Sequence, residues 1–333
     1  MKKSIITVLV ALLATMGVNA QQIAVVSEGG TTTLFQTLDE AVTGASSGSV
    51  IYLPGGGFQI KDETKINKRL TIMGVSHKAD AENADGGTTI GGNLWFEEGS
   101  DGSAVMGVYL TGDVNIGNET DSVQNMIVRY CNINSVQVKR AGCSGITVNQ
   151  CYIRSNSNMA DNNAKFTNNI MHSVQCVNSG VINHNVVTST CRVYEYEYYS
   201  RYEYKAFAKV HNSTISNNIL LDPGDGLHSG SGCIVTNNML CNRSWGDECF
   251  NITDWAEVFV GSINGVSITS NFHLKSDAPG VGKATDHTDV GIYGGTSFND
   301  DCLAPIPRIV SKVIPEQTDA SGKLKIQVTV KAN

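Results

Sequence analysis

Three side chains in this 333-residue sequence have types that could do acid–base chemistry. Lys139 stands in "VQVKRAG", Lys209 in "AFAKVH" and His228 in "GDGLHSG". A lysine can take the proton beside a carboxylate, and a histidine can move one near neutral pH. Asp222 and Asp225 in "LDPGDG" could hold a Ca2+ ion that neutralises the same carboxylate, or could simply favour a tight turn with Pro223 and Gly224. Strand alternation sets Gln137 and Lys139 opposite Val136 and Val138, so solvated charges on a sheet exterior are the competing reading.

Aromatic side chains offer a second kind of site, because their faces pack on the apolar side of a sugar ring. Six of the eleven tyrosines fall between Tyr194 and Tyr204, alternating with Glu195, Glu197 and Glu203. Tyr194, Tyr196, Tyr198, Tyr202, Tyr204, Trp245 and Trp255 are therefore the ligand-binding candidates. The alternation reads as a hairpin-like insert with one face packed and the other wet. Packing on the protein flank, or against a second subunit, would explain the same residues.

A short repeat supplies the elements that must position these groups. An apolar residue, two mostly polar ones, an Asn or Cys, and two usually apolar ones recur as "VRYCNI", "VNQCYI", "FTNNIM", "INHNVV", "ISNNIL", "VTNNML" and, with one extra residue, "ITSNFHL". The fourth position is Cys131, Cys151, Asn169, Asn185, Asn218, Asn238 and Asn271, at steps of 20, 18, 16, 33, 20 and 33 residues. The segments are too short and too β-branched for helical repeats, and no leucine-dominated motif is present. They predict a parallel β-solenoid of roughly ten to twelve coils, about 50 Å tall. The Asn column predicts a stacked corner in which Asn takes the left-handed backbone and successive amides satisfy one another. Cys131 and Cys151 read as buried structural thiols on the same ladder. The two 33-residue steps hide either a loop or a coil without the ladder residue.

Composition narrows the setting. Two lysines, an apolar run from Ile5 to Met16, and Val18 and Ala20 before Gln21 have the layout of a cleavable secretory signal. Twenty-four basic and 31 acidic residues give a net charge of −7, and no basic tract stands out, which argues against nucleic acid as a partner. No second apolar run is long enough to span a membrane. The nine cysteines form no Cys-x-x-Cys motif; Cys241 and Cys249 flank "NRSWGDE" and are placed to close a loop.

The repeat, together with "LFQTLDEAVTGASSGSVIYLPGGGFQI" and "INKRLTIMGVSH", resembles the right-handed parallel β-helix proteins of the pectin-lyase-like superfamily. The ending "DVGIYGGTSFNDDCLAPIPRIVSKVIP" is similar to that of secreted β-helix proteins from Bacteroidetes-type bacteria. The resemblance implies an all-β fold whose N-terminal end is covered by a short amphipathic helix. Leu34, Leu38, Ala41 and Val42 would form its buried face, and Thr33 would be its N-cap. Expected boundaries are a signal peptide over 1–20, cap and first coils over 21–75, β-helix over 76–295 and terminal strands over 296–333.

The resemblance further implies a polysaccharide or cell-surface glycan as partner, bound or processed outside the cytoplasm. Within that superfamily, hydrolases use Asp-Asp and Gly-His-Gly sets, and calcium lyases use Arg-x-Pro-x-x-Arg. None of these is intact here. A non-catalytic surface or adhesin-like β-helix is the alternative.

Overall fold

Each coil of the chain lays down three short strands, one in each of three stacked sheets. The computed structural model describes residues 22–78, 86–194, 202–222, 224–241, 249–263, 266–304, 308–313, 315 and 317–331. Sheet 1 has eleven strands, sheet 2 ten and sheet 3 eight in line with a short antiparallel strand beside them, and neighbouring coils pair in parallel, in register. The protein is a parallel β-helix. Nine strands of sheet 1 are parallel, so the stack holds about nine coils, fewer than the spacing suggested, and rises about 40 Å.

The repeat unit maps onto this geometry position by position. Its first residue points inward from sheet 1, as Val128, Val148, Phe166, Ile182 and Ile215 do, all fully buried. The third residue takes the left-handed conformation at the corner between sheets 1 and 2: Tyr130, Gln150, Asn168, His184, Asn217 and Asn237 all have φ between 51° and 58°. The ladder residue comes next and is not itself left-handed, which corrects the sequence reading. Its amide is needed inside the corner. Asn169, Asn185 and Asn218 each send Nδ2 to the Oδ1 of the next rung at 2.9–3.0 Å, and that oxygen also accepts the backbone N–H of the rung below.

A second bond from each Nδ2 reaches an interior carbonyl of the preceding coil, such as Phe166 O from Asn185 and Ile182 O from Asn218. Cys151 Sγ reaches the equivalent Val128 O at 3.5 Å, and burial pushes its thiol well up so that it keeps its proton. Cys131 and Cys151 are fully buried rungs. Asn271 is not a rung: it is exposed and accepts only from His273 N two residues on. The amide column ends at Asn238, whose Nδ2 meets the Cys249 Sγ at 3.9 Å in the rung position of the following coil.

Pairing also resolves the long steps. Val186 pairs directly with Ile219, so the step from Asn185 to Asn218 is one coil carrying an insert. That insert is an antiparallel hairpin of Cys191–Tyr194 with Tyr202–His211, whose second strand continues sheet 3. The glutamate side is the sheltered one: Glu203 pairs with buried Lys205 at 2.6 Å, while Tyr204 is 47% exposed. Sheet 2 ends at Phe250–Ile252, well before the expected limit of the coils. Cys241 and Cys249 are thiols, against Thr253 O and Asn238 Nδ2 respectively.

At the N-terminal end the capping helix is Leu38–Gly44, with Leu38, Ala41 and Val42 buried. Its N-cap is Thr37, which forms a capping box with Glu40, and not Thr33. Leu34 lies instead in an antiparallel edge strand, Thr32–Phe35, with its side chain 54% exposed. No described helix is long and apolar enough to cross a membrane.

After the last coil the chain turns back as a strap along the outside of the stack. Val290, Ile292 and Phe298 of the strap join Ile170, Val186 and Ile219 from the outer face of sheet 2 in a second apolar core. The left-handed corner residues tie it down: Asn237 Nδ2 to Lys283 O, Asn217 Nδ2 to Thr285 Oγ1, Asn168 Nδ2 to Ile292 O, and Gln150 Oε1 from Asn299 N. Ala304 N finally reaches Val75 O in the second coil.

Mutation can weigh both the ladder and the strap's foot. Asn218→Ala strands the N–H of Asn185 and the carbonyl of Ile182 inside the corner, at about 1–3 kcal/mol for each group. A urea titration should show a loss on the order of 3 kcal/mol, whereas Asn271→Ala should be near neutral. Beside the strap's foot, His77 is buried with neither ring nitrogen bonded among the described residues, and burial together with Lys78 lowers it to about 3. The unfolded chain therefore takes up this proton first. Stability should fall as pH drops below about 6.5 and level off near the folded value. His77→Leu should flatten that part of the pH–stability curve.

Candidate functional site

The outward residues of sheet 1 form the floor of a groove, because its outer face is the one the strap borders without covering. Two rows run across four coils, Ile127–Thr147–Lys165–Val181 and Arg129–Asn149–Thr167–Asn183, in strict register. Two cavities of about 350 and 600 Å3 lie on this floor and share Ile127 and Thr147. One wall is made by the corner turns at Asn125, Gly145, Asn163 and Ser179. The strap makes the other with Asp286, Gly295 and Thr296. Three strand steps give a floor of about 15 Å.

Charge on this floor is uneven. Arg129 lies over the Tyr130 ring at 4.6 Å, and its Nε is buried without a partner. Neither Arg129 nor exposed Lys165 forms an ion pair among the described residues. Among the described residues the groove has one acid, Asp286, and it is already engaged. Its Oδ1 accepts from Thr288 N and Oγ1 at 3.1 and 2.6 Å, and its Oδ2 lies 3.2 Å from His184 Nε2. Burial would raise the Asp286 carboxyl, but the bonds from Thr288 and His184 outweigh it and hold it below the ordinary range. His184 is 1% exposed and its Nδ1 lies 3.2 Å from Gly291 O, so the ring serves to lock the strap to the corner. The result is a trough of mixed lining, with Ile127 and Val181 among its amides and hydroxyls and two cations outside any ion pair of the described residues, suited to an anionic, extended ligand.

The residues expected from sequence lie away from this groove; Lys139 stands alone, whereas Lys209, His228, Asp225 and Tyr204 adjoin at the last strands of sheet 3. Lys139 and Lys209 both belong to the sheet 3 side. The Nζ of Lys139 is 5.7 Å from the centroid of Trp95, which Lys65 approaches more closely at 4.0 Å. Lys209 is exposed at a left-handed bulge, its N–H bonded to Ser229 Oγ. His228 pairs with Phe207 at the last strand of sheet 3; burial, then Lys205 and His211, lower its pKa.

Asp222 and Asp225 accept backbone N–H groups from Gly224 and Tyr204, as turn residues do. No group of three His, Cys, Asp or Glu able to hold a metal occurs among the described residues. Tyr194 and Tyr202 are paired at the open end of the hairpin. Tyr196, Tyr198 and Trp245, like residues 1–21, lie outside the described residues. Trp255 stacks on Phe259 at 5.5 Å against the second core and lines a separate cavity of about 500 Å3 with Asp254 and Lys275. Arg129 and Lys165, the cations of this floor, were not among the sequence candidates, although Arg129 is the second residue of "VRYCNI", a position that alternation turns outward.

No family model, curated protein or solved structure matches this chain.

The groove wall depends on one close approach. A Cβ on Gly294 would stand 1.9 Å from Asp289 O and 2.5 Å from the His184 ring. Gly294→Ala should therefore release the strap beside His184 while the coils persist. Limited proteolysis within 284–296 should accelerate about tenfold or more, with the far-UV β signature unchanged.

Proposed function

We propose that this chain is an exported β-helix that binds an acidic polysaccharide along the groove of sheet 1. The observation that carries the reading is the pair of cations outside any ion pair of the described residues, Arg129 and Lys165, on a four-coil floor of outward Thr and Asn. Charge-assisted bonds to sugar carboxylates or sulfates would satisfy the guanidinium, and Thr147, Asn149, Thr167 and Asn183 would meet hydroxyls. A polymer suits the site because the floor repeats a similar set of donors once per coil. The signal-like segment over 1–20 supports export. The coil architecture and capping helix support membership of the pectin-lyase-like superfamily.

Binding is favoured over hydrolysis because hydrolysis needs two carboxylates about the scissile bond, and among the described residues the groove presents one, which is bound to His184. Eliminative cleavage is the second reading, favoured by Lys165 as an uncommitted base on the same floor as the cationic Arg129, two coils along. A surface or adhesin-like solenoid without a glycan ligand is the rival class.

Titration of acidic and neutral polysaccharides by calorimetry, with unsaturated-product absorbance measured in parallel, separates these readings. Acidic chains should bind, with affinity falling as salt rises. Arg129→Ala and Lys165→Ala should each weaken binding roughly tenfold to a hundredfold, since a charge-assisted bond contributes about 1.5–3 kcal/mol. Lys139→Ala and Lys209→Ala should leave it unchanged. No binding across the panel, or binding indifferent to Arg129 and Lys165, would overturn the proposal.

A further inference from the structure

The strap ends beside the N-terminal coils, and beyond it the chain forms a hairpin whose second strand carries an uncovered aliphatic row, with Lys312 of the first strand paired opposite Val328. Arg308–Val313 pairs antiparallel with Gln327–Lys331. The approach to the second strand and the strand itself read "KLKIQVTVK", strict alternation from Lys323 to Lys331. Leu324, Ile326, Val328 and Val330 form one row and are 44–59% exposed. Lys323, Lys325 and Lys331 stand in the opposite row. An isolated two-stranded hairpin is marginal in water, and an uncovered aliphatic row adds to the cost.

A matching surface exists at the same end of the molecule. Thr32–Phe35 is the outermost strand of sheet 1, with one edge unpaired. Its outward residue, Leu34, continues a row through Ala24, Tyr52, Met73 and Met106 that leads to Arg129 in the groove. Its inward residue, Phe35, lines an open pocket of about 460 Å3 with Asp39, Glu40 and Thr43. A strand added to this edge with its aliphatic row beside Leu34 would turn its lysines toward Phe35 and the two carboxylates. Apolar meets apolar on one face, and base meets acid on the other.

We propose that the hairpin of one copy adds to the Thr32–Phe35 edge of a second copy, so that two solenoids join through their N-terminal ends. In a single chain both surfaces remain uncovered: the hairpin row and Leu34 are each about half exposed. Ala304 is bonded to Val75, and only three residues separate it from Arg308, so donor and acceptor leave from the same end. The exchange is therefore reciprocal. Each copy gives a hairpin and receives one, which closes a twofold dimer and leaves no free edge to propagate.

Sedimentation velocity of the full chain over about 1–100 µM tests this. Wild type should pass from monomer to dimer and grow no further. Val328→Lys with Val330→Lys removes the donor row, and Leu34→Lys blocks the acceptor edge. Each variant should dimerise at least tenfold more weakly, with an unchanged circular dichroism spectrum. Mixing the two variants leaves one intact donor and one intact acceptor, so a heterodimer held by a single exchange should reappear. A wild type monomeric throughout, a variant that dimerises like wild type, or a mixture that fails to associate would each overturn the proposal. So would binding to anionic phosphatidylserine vesicles that needs the hairpin while no dimer forms.

Discussion

A corner buried on all sides sets the terms for this fold. Between sheets 1 and 2 the chain reverses through two residues, and the reversal is enclosed by core and strap, so the backbone groups there have no water to bond. The carboxamide column of Asn169, Asn185, Asn218 and Asn238 supplies both a donor and an acceptor at each level. Each of the first three amides donates to the rung above and to an interior carbonyl of the coil below, which ties every coil to two others. Shape alone is not enough: the thiols of Cys131 and Cys151 fit the corner and reach the interior carbonyl, but they offer the neighbouring rung much less. Flat, closely stacked coils, and with them the registered rows of the groove, depend on that column.

Much of this was legible because the repeat is a dense code. Within six residues the first packs the inner core, the second faces the groove, the third bends the chain and holds the strap, and the fourth satisfies the corner. The fifth packs beneath the strap and the sixth returns to the core. Fold class and the Asn and Cys rungs could be read from periodicity. The assignment of left-handed geometry to the ladder residue failed by one position. Both columns are rich in Asn, and composition does not separate an Asn that bends the backbone from one that bonds its neighbours.

The strap was harder to see, since its contacts join residues from 46 to more than two hundred positions apart and its own segment has neither period. Asn168 meets Ile292 and Gly294, and Gln150 meets Asn299. Asn271 looked like a rung because "ITSN" copies the local pattern, yet the coil beneath it that would give the amide a partner has already ended. Chemistry was sought in conspicuous clusters, tyrosines and Gly-rich turns. The groove's cations are single residues inside otherwise ordinary repeat units, and only the stacking of coils brings them together.

The strap also gives the molecule an order of assembly. Coils pair with their immediate predecessors, so the stack can grow from its N-terminal cap as the chain lengthens, each step closing a loop of about twenty residues. The strap closes loops of a different kind: its final contact joins Ala304 to Val75, across more than two hundred positions. Long loop closures of this sort come late and slowly. Until residues 283–299 have docked, the outer face of sheet 2 is bare and the groove lacks a wall. The last stretch of the solenoid thus acts as a completion signal, sealing only those molecules whose coils have all been laid down.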